Sequence, residues 1–433
     1  MTPMTDHEPA PPPARDARRL STKETAELLG VKPETVYAYV SRGQLSSRRA
    51  GPGSRGSTFD ADEVAALAQR NKREPAAGSA PDELSVRTRI TLIDTDRYYF
   101  RGVDAAELAA HHTYEEVAEW LWTGVMRPGT QFTAPRQSLT AARRAVGALP
   151  EHSSPVDRLR VAAVAAAVAD PLRFDLSEEA VLGTARTLIP TLVAALPPVR
   201  HTHRDGGPLA QRLWGRLTGH EPDDPSLRAL DTALALLVDH DLAASTLAVR
   251  VAASARAHAY AAVSAGLGVL EGPLHGAASG LAHRMLLDVL DRGNAAPVVA
   301  DELRAGRRVP GLGHRLYRGE DPRAQALFAL LEEIPKAHSA LAAARDVVAT
   351  TARHTDLHAN VDLALAVFTV TCGMPAEAGE TVFAVARTAG WIAHALEEYG
   401  ERPLRMRPSG QYVGLRPPQP LPTPHGPLPE ERG

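Results

Sequence analysis

The chain has one cysteine in 433 residues, Cys372. A lone thiol supports neither an intrachain disulfide nor a cysteine-based zinc site, so a reducing compartment is expected and Cys372 reads as a small buried hydrophobe. Aromatic residues are also scarce, 5% of the chain against 44% hydrophobic residues overall, which leaves the apolar content to Ala, Leu and Val. That balance favours helices packed closely through small side chains. No stretch offers the roughly 18 uninterrupted apolar residues of a membrane span, and "MTPMTDHEPAPPPARDARR" has no apolar core of leader length, so a soluble cytoplasmic protein is expected. A formal net charge of −3 excludes a globally basic nucleic-acid coat while allowing a local basic patch.

Proline and charge divide what remains. Residues 1–17 and 416–433 are proline-rich and are expected to be disordered. "KREPAAGSAPDELS" at 72–85 reads as a linker between a small head, 18–71, and a large body that begins at 86.

In the head, Ser21 with Glu24 forms a capping box before a short helix that buries Ala26 and Leu29. Gly30 and Val31 make a turn, and Pro33 suits the first turn of a second helix whose Val36 and Val40 share a face. Gly43 ends it, the Gly-rich loop "RRAGPGSRG" follows, and Asp60 with Glu63 caps a third helix. Between Arg15 and Arg73 there are twelve Lys/Arg against seven Asp/Glu, a local positive excess in an otherwise acidic chain. The order describes a winged helix-turn-helix, and "LSTKETAELLGVKPETVYAYVSRGQL" resembles the DNA-binding head of MerR and excisionase-type proteins. The resemblance implies double-stranded DNA as a partner, with Thr35, Tyr39 and Arg42 on the base side and Arg48, Arg49 and Arg55 on phosphates. The bland alternative is a basic solvated surface.

From Arg87 the body opens with alternating β-type residues and turns helical, with Thr113 and Glu116 boxing the start of "YEEVAEWLW". Periodicity predicts helices over Val156–Ala169, Ser177–Ala195, Ser226–Leu237, Leu242–Leu267, Ala277–Asp291, Pro322–Glu333, Ala337–Thr351 and Thr381–Glu398.

Titratable groups at Gly-Pro turns and helix ends are the candidates for chemistry. His275 in "GPLHG" precedes a helix start, where the dipole would hold the imidazole neutral and able to donate to a developing negative oxygen; a helix cap is the alternative. His314 lies in "VPGLGHRLYRGEDPR", whose arginines suit a phosphate- or carboxylate-rich ligand or simply form a solvated basic loop. Asp362 of "NVD" abuts an apolar run, as a desolvated carboxylate or a helix cap. Arg387 interrupts "VFAVARTAGWIAHAL" and needs an anion, either a protein acid or a bound carboxylate. No short metal-ligand spacing is present and the arginines would repel a cation, so no metal is expected. "GLGH" is no dinucleotide fingerprint, and no G-x-S-x-G elbow marks a hydrolase.

Taken together, "GPLHGAAS", "PGLGHRLYRGEDPRA", "HANVD" and "VFAVARTAGWIAHALEE" resemble the citrate synthase family in order and spacing, over Val86 to about Leu415. The resemblance implies a mainly α protein, the head being joined to an all-α large domain, 86–276 and 376–415, and a small domain, 277–375. It implies a homodimer that condenses acetyl-CoA, or propionyl-CoA, with oxaloacetate, the CoA thioester being co-substrate and no cofactor being needed. Asp362 would be the base, His275 the donor to the thioester oxygen and His314 the donor to the oxaloacetate carbonyl. His240, Arg323 and Arg387 would hold oxaloacetate carboxylates, with Arg407 supplied by a partner subunit. Leu312, Gly313, Arg315 and Arg318 would lie against CoA. The family commonly reads "HGGANE" where this chain has "HGAASG", Asn where Ala243 stands, a bulky residue followed by small polar ones where Leu363–Ala366 stand, and a second arginine at Ser409. The alternative function is a DNA-binding regulator whose body senses oxaloacetate, citrate or acyl-CoA.

Overall fold

The computed structural model describes residues 19–29, 31–41, 45–49, 56–65, 67, 86–199, 206–272, 278–317, 319–408, 413–415, 419 and 421. The chain falls into two compact units, Met1–Val86 and Arg87–Gly433. The expected disordered end at 1–17 and the linker at 72–85 lie outside the described residues, as does the expected disordered end at 416–433 apart from 419 and 421.

The first unit begins with strand Arg19–Ser21, and the Ser21 box forms as expected: Glu24 accepts from the Ser21 amide at 2.8 Å and donates its own amide to Ser21 Oγ at 3.3 Å. Helices Thr22–Leu29 and Pro33–Ser41 follow, the second opened by its proline. Strands Ser47–Arg49 and Arg19–Ser21 flank Ser57–Asp60 in a three-stranded antiparallel sheet. Leu20, Ala26, Val36, Leu45, Phe59, Val64 and Leu67 form a small core of their own. Asp60 caps the third helix by accepting from Asp62 at 2.9 Å, whereas Glu63 turns away to bind the Ser46 amide at 2.9 Å. The expected box is therefore half formed, because an unpaired strand-end amide claims the glutamate.

The second unit is helical after a short meander, Thr91–Asp94, Arg97–Phe100 and Val103–Asp104, whose alternation buries Tyr98 and Phe100. Thr113 and Glu116 close their box on helix Tyr114–Thr123. The single helix expected over Leu242–Leu267 is instead a hairpin of two, Ala244–Ser254 and Ala259–Leu270. Arg256 takes a left-handed φ of 62° at the break, and His258 caps the second helix through Nδ1. Periodicity missed this turn because the apolar pattern runs through it without Gly or Pro.

Helix Ala378–Tyr399 runs buried through the core, with Trp391 among its largest covered side chains. Gly390 allows the closest approach: its amide donates to Val238 O at 3.1 Å, and a Cβ there would lie 2.2 Å from that oxygen. The strip 237–241 is thus laid directly on the helix backbone. Among the described residues no helix is long and apolar enough to cross a membrane. Cys372 is buried, and burial pushes its thiol up to about 11.

Candidate active site

Helix Val361–Thr371 starts at Asn360, whose side-chain oxygen accepts from the amides of Asp362 and Leu363 at 3.0 and 3.4 Å. Asp362 is therefore not the cap. Its carboxyl is free for other use in the first turn, where the positive end of the helix favours an anion. Asn360 also donates its side-chain amide to Gly313 O at 2.9 Å, while its backbone amide binds Gly311 O at 3.0 Å and Gly313 N binds His358 O at 2.8 Å. The loop that carries His314 is stitched to the segment that carries Asp362.

Helix Pro322–Glu332 supplies the third part. Asp321 caps it, grips Arg323 with both carboxylate oxygens at 3.0 and 2.7 Å, and accepts from the Val361 amide at 3.1 Å. Burial works against charge on both partners; mutual attraction outweighs it, holding Arg323 above and Asp321 below their ordinary values. His240, from the strip laid on Gly390, meets the His314 ring edge-on at 5.1 Å and shares a 2.7 Å hydrogen bond between Nε2 and Tyr317 Oη. The Arg323 guanidinium lies 5.9 Å from the Tyr317 ring.

Protonation follows from this geometry. Burial, aided by Arg323, drops the His314 imidazole to about 4. Its Nδ1 accepts from the Leu316 amide at 3.1 Å, so the neutral ring carries its proton on Nε2 and is a donor there. Burial, with Arg323, Arg387 and His314 nearby, holds His240 well below the usual imidazole range. Burial pushes Asp362 up to about 6, with Arg323 opposing and Asp321 reinforcing the rise. Arg387 is 1% exposed, donates Nε to Leu237 O at 2.9 Å and lies 4.5 Å from the Phe383 ring, and its Nη2 has no hydrogen-bond partner among the described residues. Burial lowers it to about 10, opposed by Asp239, so it stays charged at neutral pH. A buried cation with an unfilled donor suits a carboxylate arriving from outside.

His240, His314, Arg323, Asp362 and Arg387 thus converge, with Leu312 and Gly313 on the same stitched loop. Arg315 and Arg407 are exposed, and among the described residues no hydrogen bond or ion pair joins either side chain to this cluster. His275, Arg318, Arg42 and Arg55 lie outside the described residues, as do Ser409 and the side chain of Arg49. In the first unit Thr35 and Arg48 are exposed and Tyr39 is half-buried.

Three contributors escaped the sequence reading. Tyr317 carried no pattern beyond its place in the loop. Asp321 had the signal of an Asp-Pro helix start. Glu380 explains part of the unusual "HGAASG": its Oε1 lies 3.0 Å from where a Cβ on Gly280 would sit, and Ser279 Oγ lies 2.7 Å from the matching point on Gly379. The helix bearing Glu380 comes so near that larger side chains at 279 and 280 would collide with it. Leu363, Ala364, Leu365 and Ala366 are fully buried, so they serve the core.

The citrate synthase C-terminal domain model matches residues 82–409, and a helix-turn-helix domain model matches residues 19–72. A citrate synthase of Haloferax volcanii is 32% identical over 357 residues, covering 76% of this chain and 94% of its own. A 2-methylcitrate synthase of Shewanella oneidensis is 27% identical over 346 residues, covering 75% and 90%. The crystal structure of a citrate synthase from Pyrobaculum aerophilum matches with a TM-score of 0.66 at 28% identity, over 79% of this chain and 93% of that one. With its mainly helical body and a family match over most of its length, this chain belongs to the citrate synthase family.

Proposed function

We propose that the chain condenses an acyl-CoA, acetyl-CoA in the first instance, with oxaloacetate to give citrate and free CoA, in the cytoplasm and as a homodimer. The enzyme class, carbon–carbon bond formation from an acyl-CoA, follows from the family. The observation that carries the reading is the tie between the His314 loop and the Asp362 helix through Asn360, set against the Asp321–Arg323 pair.

In this reading Asp362 removes the methyl proton of the thioester. That proton is less acidic than a carboxylic acid by more than roughly ten pK units, an uphill step of over ~13 kcal/mol. Raising Asp362 from 3.8 to about 6 recovers roughly 3 kcal/mol of it. The rest must come from donors aimed at the enolate oxygen, the role left to His275. His314 donates from Nε2 to the oxaloacetate carbonyl as the new bond forms, and His240, Arg323 and Arg387 hold the carboxylates, with Arg407 contributed across a dimer. Leu312, Gly313, Arg315 and Arg318 are assigned to CoA in this reading. Acid, base and hydrogen-bond donors suffice, so no metal or redox group is proposed. Hydrolysis of the citryl thioester then releases CoA.

The test is release of CoA thiol from acetyl-CoA and oxaloacetate by wild type and Asp362→Ala. Turnover that collapses in the variant is expected; equal release from both, or none from wild type, rejects the reading. A body that only senses metabolites is not favoured by these relatives. DNA is proposed as a partner of the first unit, on the domain match and the exposed Thr35 and Arg48.

A further inference from the structure

Behind the carboxylate-binding residues lies a buried polar chain that the reaction above does not use. Arg250, 1% exposed, donates Nη1 to His394 Nδ1 at 2.7 Å and to Glu397 Oε2 at 2.8 Å. A guanidinium can only donate, so His394 Nδ1 is the acceptor and the ring proton sits on Nε2. That Nε2 faces Asp239 Oδ1 at 3.3 Å, and the other Asp239 oxygen accepts from Thr91 Oγ1 at 2.5 Å. Asp239 and His394 are both fully buried, and their contact is a charge approach outside hydrogen-bond geometry, since neither Asp239 Oδ1 nor His394 Nε2 has a hydrogen-bond partner among the described residues. That approach, with Thr91 Oγ1 and the Arg387 charge beside it, compensates a carboxylate removed from water.

Asp239 stands at the centre of the strip laid on Gly390. Leu237 O, two positions before it, accepts Arg387 Nε, the following residue is His240, and Asp241 holds a left-handed φ of 55°. Arg387 also feels the Asp239 charge directly. Two groups proposed to hold oxaloacetate therefore hang on one short strip of backbone around a buried carboxylate.

We propose that His394, its tautomer set by Arg250, is a positioning residue: it holds Asp239, and through that strip it keeps His240 and Arg387 aligned on the substrate carboxylates. The inference rests on the condensing reading above. Substitutions at 394 separate the two ring nitrogens. His394→Asn keeps an acceptor near the Nδ1 position and removes the donor to Asp239, whereas His394→Gln keeps a donor near Nε2 and gives up the acceptor.

Full-length wild type and both variants are melted and assayed for CoA release, with KM measured separately for each substrate. His394→Asn is expected to raise KM for oxaloacetate about tenfold or more and to leave KM for acetyl-CoA within about twofold, with His394→Gln recovering most of the loss at a similar melting temperature. Equal loss in both variants, loss in step with melting temperature, a joint rise in both KM values, or no change overturns the positioning role. Should neither variant fold, Thr91→Val, which strips the second oxygen of Asp239, is expected to raise KM for oxaloacetate alone, and an unchanged KM overturns the role. Wild type that releases no CoA at all sinks the underlying reaction instead, an outcome distinct from active wild type with indifferent variants.

Discussion

Asn360 donates its side-chain amide to the carbonyl of Gly313 at 2.9 Å while its oxygen caps the helix that begins at Val361. One residue thereby ties a loop bearing His314 to a helix start bearing Asp362, the two groups proposed to act on the carbons being joined. Asp321 repeats the arrangement from the other side, gripping Arg323 and the Val361 amide together. A base and a donor have to be held to a fraction of an ångström, and double anchoring of this kind supplies the rigidity.

Replacing Asn360 by Ala removes the cap and the bridge together. Stability is expected to fall by about 1–2 kcal/mol, the range of a lost N-cap. Turnover should fall further than the unfolded fraction accounts for. Thermal melting alongside initial rates decides this; rates that track folded fraction alone would place no weight on the bridge.

Asp362 couples activity and stability in opposite senses. As the proposed base it must be ionised, so kcat/KM is expected to fall as pH drops through about 6. Its folded pKa lies above its unfolded value of 3.8, so the folded state binds the proton more tightly and stability declines as pH rises from about 4 to about 6. Asp362→Asn should therefore be inactive yet melt higher than wild type at pH 8, with the difference vanishing near pH 4. A variant that melts lower at pH 8 contradicts the raised pKa.

Tyr317 closes on His240 through its hydroxyl at 2.7 Å. Tyr317→Phe keeps the ring and loses the bond, so kcat/KM for oxaloacetate is expected to drop roughly tenfold, the worth of one buried hydrogen bond. Steady-state kinetics with oxaloacetate varied give the answer; an unchanged value removes Tyr317 from the site.

Gly390→Ala would place a methyl 2.2 Å from Val238 O, a backbone atom that cannot swing aside. A loss of roughly 3 kcal/mol or more is expected, at the upper end of overpacking effects. Denaturant titration measures it, and a loss below about 1 kcal/mol would show that the strip at 237–241 can shift, in conflict with a rigid mount for His240.

For the first unit, gel shift on DNA upstream of the gene should be salt-sensitive and weakened by Arg48→Ala, since phosphate contacts release counterions. Binding unaffected by salt or by this change would remove Arg48 from the interface.

Local grammar was legible in the residue order. The boxes at Ser21 and Thr113, the Pro33 helix start, the alternation that buries Tyr98 and Phe100, and the ordered motifs around His314, Asp362 and Arg387 all depend on neighbours within a few positions. The same short range explains the misses. An unbroken apolar pattern hid the turn at Arg256, and Glu63 answered Ser46 because a strand end was close in space. Which polar group meets which neighbour was settled only when distant segments packed: Tyr317 on His240, Arg250 on His394 across 144 positions and on the Glu397 carboxylate, Glu380 against Gly280. Periodicity and caps act through local backbone geometry and so are written along the chain. Pairing of buried charges depends on which surfaces desolvate one another, and that is determined by the tertiary fold alone.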